Sequence, residues 1–425
     1  MKLQPLLTIG ITAPLLAACS PGTPIDPNLP AWSKLQIESL RKSLAAAPQD
    51  ALPQFDASPL DQALDEGDEN TIRRTALDLS EKLAKAHLHG CAASEEREEW
   101  FMKDDDDSAD LQGKIKAALL GDGNLEAFFA SLKPAHPDYA ALRSAYLAET
   151  DPARRLTIAR NMERWRWMPQ VLGSDYVLAN VPAYEVYLWR QGAQAKSWRA
   201  VVGKTVTPTP QLNATITAVT FNPWWDVPKS IVDAGGSFSA RGGYIRTKGG
   251  HIRQKPGPRN SLGQMKVEMP NPHAIYLHDT PSKGLFGAER RAFSHGCVRI
   301  GDPLSLAETL LKGVRTRNDI DILLGIKQPK ETERRISRSQ PQPSEPPPIK
   351  TTTVRLPANL PVYIAYFTAA PRADGSLAFP QDIYKRDALI ADPAKPGKAC
   401  AYGPLPPRPI KSEAAKKDSR DDPGP

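Results

Sequence analysis

The chain is 425 residues long, too long for one typical domain and enough for about two or three. Hydrophobic residues make up 40 % and charged residues 24 %, an ordinary globular balance, while the 42 prolines are about twice the usual share and cluster as linkers and tails do. The net charge of +7 comes with no nucleic-acid motif, so nucleic acid is excluded as the expected partner and the excess charge is assigned to solubility.

In chain order, Lys2 precedes a mostly apolar run from Leu3 to Leu16, interrupted by Gln4, Thr8, Gly10 and Thr12. That run is too short and too interrupted for a stable membrane span and reads as a secretory signal segment, residues 1–18. Residues 19–31 follow as a tether rich in proline. Residues 32–160 carry helical signals. Ile37, Leu40 and Leu44 recur at three- and four-residue spacing, the run from Ile72 to Leu88 does the same, and Gly90 stops it. The four aspartates Asp104 to Asp107 lack metal-ligand spacing and read as a solvated loop. Helices are expected at Leu111–Leu120, Leu125–Leu132 and Tyr139–Leu147, and another opens at Asp151-Pro152 with Asp as cap and Pro in the first turn.

After Pro169 the period becomes that of strands. Tyr176–Val181, Tyr184–Val202 with a hairpin turn at Gln191-Gly192, Ala214–Phe221, Ile275–His278, Val298–Ile300, Ile320–Leu324 and Val362–Phe367 read as strands. Asp302-Pro303 opens a helix with Leu304, Ala307, Leu310 and Leu311 on one face. Residues 327–350 are rich in Pro, Lys, Arg, Gln and Ser and cannot bury a core. Strand signal returns after them, so they read as a disordered excursion from a domain covering 161–326 and 351–390, with 391–425 as a disordered tail. The expected fold class is α+β, a helical N-terminal region followed by a mostly β catalytic domain.

The chemistry concentrates between His278 and Arg299, a window of 22 residues that holds Ser294-His295-Gly296-Cys297-Val298-Arg299. A free thiol is only a few per cent thiolate at neutral pH and needs a base or a positive neighbour. His278, His295 and Arg299 are candidates for that neighbour. Gly296, with no Cβ, lets backbone approach a ligand, so N–H groups around it and Cys297 can face a developing oxyanion. Zinc on His278, His295 and Cys297 lacks a fourth ligand at a recognisable spacing. A papain-like site has Cys before His, the reverse of the order here. No metal and no cofactor are expected.

Leu16-Ala17-Ala18-Cys19 resembles the lipobox of bacterial lipoproteins, which implies cleavage before Cys19, acylation of Cys19 and a membrane lipid anchor. Ser20 resembles the residue of those sent to the outer membrane, facing the periplasm. With Cys19 so used, Cys91, Cys297 and Cys400 remain, an odd number that flags a free reactive thiol. A disulfide between Cys91 and Cys400 is one option that sequence leaves open.

The run from His278 through Arg299 resembles the L,D-transpeptidase signature, a His some way before S-H-G-C-x-R. It is similar to the large periplasmic members of that family. Asn161 to Trp167, Val202-Gly203-Lys204, Phe221 to Pro228, Arg253 to Gly257, Asn260 to Gly263, Pro361 to Thr368 and Asp382-Ile383-Tyr384 also match. The resemblance implies a cysteine acyltransferase acting on peptidoglycan tetrapeptide stems, with a thioester on the cysteine. Loss of D-Ala and a cross-link between diaminopimelate residues complete that reaction. Attaching or detaching a protein on peptidoglycan by the same thioester, or a non-catalytic peptidoglycan-binding scaffold, are the alternatives. Carried over, Cys297 is the nucleophile and His278 the base. His295 and Gly296 shape the oxyanion region, while Ser294 and Arg299 orient the loop. Tyr276 lies on the substrate side, and Trp225 is either cleft wall or core aromatic. The glycine-rich stretch between Val227 and Ile252 occupies the place of the family's flap over the cleft.

Overall fold

The structure is a computed structural model that describes residues 24–103, 110–121, 124–327, 349–395 and 400. Seven helices come first: α1 (Lys34–Ala46), α2 (Ser58–Glu66), α3 (Glu69–His89), α4 (Leu111–Leu120), α5 (Leu125–Ser131), α6 (Pro137–Ala148) and α7 (Pro152–Arg166). Ser33 and Gln36 form a capping box at the start of α1, which settles two of its orphan amides. Ile37, Leu40 and Leu44 turn inward as their spacing demands and join Leu83, Ile115 and Phe129 in one core. Asp151 accepts from Arg154 N to open α7 as expected.

α7 runs across residue 160, where the helical region is expected to end. Ile158, Met162 and Trp165 of α7 pack with Tyr176, Leu178 and Phe367, and the Trp165 and Phe367 rings stack at 4.5 Å. The same helix buries charge. Glu163 accepts from Cys91 N and Ala92 N, both at 2.7 Å, and pairs with Arg166 at 3.0 Å, both side chains being 0 % exposed. Arg166 donates in turn to Asp50 O and Tyr139 Oη, and Arg164 donates to Asp387 at 2.6 Å. A buried charge persists only when paired and hydrogen-bonded. The block Asn161 to Trp167 is therefore a polar rivet between the helical region and the β domain.

The strands are β1 (Asp175–Asn180), β2 (Glu185–Arg190), β3 (Ala193–Gly203), β4 (Leu212–Phe221), β5 (Trp225–Asp226), β6 (Tyr244–Arg246), β7 (Ile252–Gln254), β8 (Met265–Glu268), β9 (Leu277–His278), β10 (Ala292–Ser294), β11 (Val298–Ile300) and β12 (Thr352–Ala365). The main sheet runs β10-β3-β11-β9-β8-β4-β12-β1-β2, and β2 pairs back onto β3. That pairing closes the strands from β3 to β2 into a ring, with β10 paired on β3 outside it. Gln191 and Gly192 both have positive φ (51° and 76°), the geometry of the expected hairpin turn. β5, β7 and β6 make a separate small sheet in and around the glycine-rich stretch, which also holds a short helix α8 (Lys229–Asp233).

Two strand expectations are corrected. Ile320–Leu324 is not a strand. It lies in α10 (Arg317–Leu323) and its C-cap, after α9 (Pro303–Leu310). The capping box of Thr316 and Asp319 starts that helix, and the isoleucine content that suggested a strand is overridden. Within the expected tether, Asp26 N donates to Asn70 Oδ1 of α3 at 2.8 Å and Asn70 Nδ2 to Pro24 O at 2.9 Å. The start of the expected tail is also docked. Ala391 N donates to Glu96 Oε1 at 2.7 Å, and Cys400 forms a disulfide with Cys91, 309 residues away in sequence. The strand expected at Val362–Phe367 begins ten residues earlier, at Thr352, which pairs with Phe221. The signal segment with Cys19, the run Asp104 to Asp107, most of the excursion (328–348) and the tail from 401 lie outside the described residues. Among the described residues no helix is long and apolar enough to cross a membrane.

Candidate active site

β9 and β11 pair in parallel, with Leu277 opposite Val298 and His278 opposite Arg299. Leu277 and Val298 are both 0 % exposed in the barrel core. Side chains alternate along a strand, so Tyr276, His278, Cys297 and Arg299 share the other face. β8 adds Lys266, the register partner of His278. Sheet register thus assembles five chemistry-bearing side chains from three strands.

His278 is buried, and its Nδ1 lies 2.5 Å from Asp279 O. A carbonyl oxygen only accepts, so Nδ1 carries the proton and Nε2 keeps its lone pair. Burial first, then the charge of Arg299, pushes the imidazole down to about 3, so it is neutral at neutral pH. Burial pushes the Cys297 thiol up, opposed by the Tyr276 N–H and by the charges of Arg299 and Lys266. The resting pair is therefore a neutral thiol beside a neutral imidazole. The thiol's own hydrogen bond runs to Ala274 O at 3.7 Å rather than to His278. The turn 271–275 presents that carbonyl. Asn271 Nδ2 bonds Met269 O and Ile275 O at 2.7 and 2.8 Å, and Ala274 takes φ 52°.

The loop before the cysteine is closed on itself. Buried Ser294 donates to Cys297 O at 2.6 Å and accepts from Gly296 N at 3.1 Å. The Gly296 N–H is therefore committed to Ser294 Oγ. The Cys297 N–H is left without a partner among the described residues. Gly296 has φ 112°, and a Cβ there would stand 3.2 Å from Ile275 Cδ1, so only glycine fits without strain. His295 is exposed, and burial first, with Lys204 and Arg299, pushes it down. Tyr276 is half-buried beneath Lys266, whose Nζ is 4.6 Å from its ring centroid. Trp225 is half-buried on the small sheet, 6.4 Å from the Tyr244 ring and outside the core clusters.

Three supporting residues escaped the sequence reading. Thr209 donates to Gly296 O at 2.8 Å and accepts from Gly203 N at 2.9 Å. Tyr384 donates to Gly203 O at 2.6 Å and accepts from Thr209 N at 3.2 Å. Lys266 is the third. The matching of Val202-Gly203-Lys204 and Asp382-Ile383-Tyr384 to the family was the available signal, since both blocks clamp the cysteine loop. Among the described residues no group of three or more His, Cys, Asp or Glu could hold a metal ion.

A thiol, a base with a free lone pair, a cation and an unbonded N–H on one face make a set suited to acyl transfer. Comparison with known families agrees: residues 174–320 match the model of the L,D-transpeptidase catalytic domain. The chain carries an L,D-transpeptidase catalytic domain. Residues 27–145 match a Scaffold domain, the helical region ahead of it. A curated Haemophilus influenzae relative, provisionally named an L,D-transpeptidase, is 28 % identical over 261 residues, covering 55 % of this chain and 48 % of that protein. The chain thus spans about half the length of the curated relative it matches. Solved L,D-transpeptidases from Mycobacterium tuberculosis and Mycobacterium smegmatis are each 13 % identical over 45 % of this chain and 57 % and 58 % of theirs, both with a TM-score of 0.22. Those low scores add nothing to the domain match. Within the L,D-transpeptidase domain, the candidate residues of the His278 to Arg299 window lie on or beside β9, β10 and β11.

Proposed function

We propose that the protein is an L,D-transpeptidase that cross-links diaminopimelate residues of peptidoglycan stems through a thioester on Cys297. The observation that supports this reading is the face shared by Cys297, His278 and Arg299, with the His278 imidazole held neutral. Cys297 Sγ attacks the carbonyl of diaminopimelate in a donor tetrapeptide and passes its proton to His278. The Cys297 N–H stabilises the oxyanion. The C–N bond to D-Ala breaks, and D-Ala leaves with the proton from His278. The side-chain amine of a second stem then attacks the thioester, gives a proton to His278, and restores the thiol. The test is intact-mass analysis with a disaccharide tetrapeptide. It expects an acyl adduct lacking D-Ala on Cys297, and a cross-linked dimer on adding acceptor. Absence of any adduct on the wild-type protein would overturn the reading.

We further propose that Cys19 is acylated and anchors the protein to the outer membrane, facing the periplasm. Leu16 to Cys19 and Ser20 support this. Cys19→Ala should move the protein from the membrane to the soluble fraction. Unchanged fractionation would sink the idea.

A further inference from the structure

The thiol's face of the sheet holds more positive charge than the protein neutralises. Lys266 is the register partner of His278, its side chain is 19 % exposed, and its carboxylate partner is Glu268 at 3.1 Å. Glu268 also accepts from Thr220 Oγ1 at 2.5 Å through its other oxygen, so its single charge is matched by Lys266 alone and leaves none for Arg299. Arg299 stands opposite His278 on the other side, with no ion pair among the described residues and a buried Nε that has no hydrogen-bond partner. His278 and Cys297 are both neutral at rest and offset none of this charge.

A desolvated guanidinium without a counter-ion is costly unless a ligand supplies one. Its planar fork suits a carboxylate, and an ammonium nearby adds a point charge from the second side. We propose that Lys266 and Arg299 together seat a carboxylate of the donor peptide beside Cys297, with Lys266 as the residue that selects an anionic donor. This rests on the thioester reading, because a donor carbonyl must sit at the sulfur that both cations face. Tyr276, 4.6 Å from the ammonium, holds Lys266 over the cleft by a cation–π contact. The donor carries two suitable groups, the terminal D-Ala carboxylate and the free carboxylate on the diaminopimelate side chain.

The experiment measures D-Ala-site cleavage by the full-length protein on three donors: the native tetrapeptide, one with its terminal carboxylate amidated, and one with its diaminopimelate side-chain carboxylate amidated. For the wild-type protein, amidating the seated carboxylate should lower kcat/KM about 10–100-fold, the worth of a charged hydrogen bond. Lys266→Met should lose a similar factor on the native donor, chiefly in KM, and nothing further on the donor that lacks the seated group. Lys266→Arg should keep most of the preference, and thermal midpoints of both variants report whether they fold. Should Lys266→Met fail to fold, the non-additive loss is read from Lys266→Gln instead. A loss by the same factor on all three donors, or on none, overturns the seat. A wild-type protein that cleaves no donor would overturn the thioester reading itself, a distinct result.

Discussion

Arg299 stands beside His278 across the parallel pairing of β11 and β9, so a guanidinium neighbours the imidazole on the thiol's face of the sheet. Burial first and this charge second keep the imidazole neutral down to about pH 3. The base form is thus present across the working range. The rate kcat/KM for acylation should be flat from about pH 5 to about pH 8, with no acid limb near the ordinary histidine value of about 6.5. Arg299→Met should raise the limb toward that value. A wild-type limb near 6.5 in a stopped-flow pH profile would contradict the arrangement.

Nucleophile and base separate cleanly with a carbapenem probe. Cys297→Ala should take up none. His278→Ala should acylate about 10²–10⁴-fold more slowly, the usual range for a positioned proton transfer. Cys91 and Cys400 are joined to each other and leave Cys297 as the free cysteine among the described residues. Time-resolved intact mass should therefore place the whole adduct on Cys297.

The cysteine loop should be sensitive to changes that leave its chemistry untouched. Gly296→Ala imposes φ 112° on a residue with a Cβ and crowds Ile275. A displacement of about 1 Å at a nucleophile costs about 100-fold in rate. Thr209→Val strands Gly203 N and Gly296 O, which should cost about 1–3 kcal/mol of stability and slow acylation. Wild-type acylation rates in both variants would show that the clamp does not position the thiol.

Stability should hinge on Glu163, far from the site. Glu163→Ala leaves Arg166 buried without its partner, a change worth about 3–5 kcal/mol. Gly90→Ala attacks the same contact from the other side, since its Cβ would fall 2.1 Å from Glu163 Oε1 at φ 74°. Denaturant midpoints of the two variants should fall together. A surface-like loss of about 0.5 kcal/mol for either would refute the rivet.

Acid should unfold the protein partly through His87, whose imidazole is pushed down to about 3 by burial first and by Lys133 next. The unfolded chain takes up the proton near pH 6.5 and the folded one only near 3. Stability is therefore complete above about pH 6.5 and falls as pH drops toward 3, by about 1.4 kcal/mol per unit. His87→Leu should flatten that part of the pH–stability curve. An unchanged slope would mean that His87 is solvated in the folded state.

By itself the sequence determined what is local. Helix period at Ile37, Leu40 and Leu44, the cap at Asp151, the hairpin at Gln191-Gly192 and the compact Ser294 to Arg299 motif each act within a few residues of their neighbours, so adjacency in the chain reveals them. The α+β class was legible for the same reason. Tertiary structure decided the rest. Ile320, Ile322 and Leu324 alternate like a strand, yet the Thr316 cap and the packing of the barrel end make the segment helical. Lys266, Thr209 and Tyr384 reach the site only because strand register and a closed sheet bring separate segments together. The thiol bonds Ala274 rather than His278 because a turn clamped by Asn271 delivers that carbonyl. The pairing of Cys91 with Cys400 joins residues 309 apart in the sequence. Such contacts depend on where strands pair and which faces are buried, and no spacing along a chain encodes a distance across a barrel.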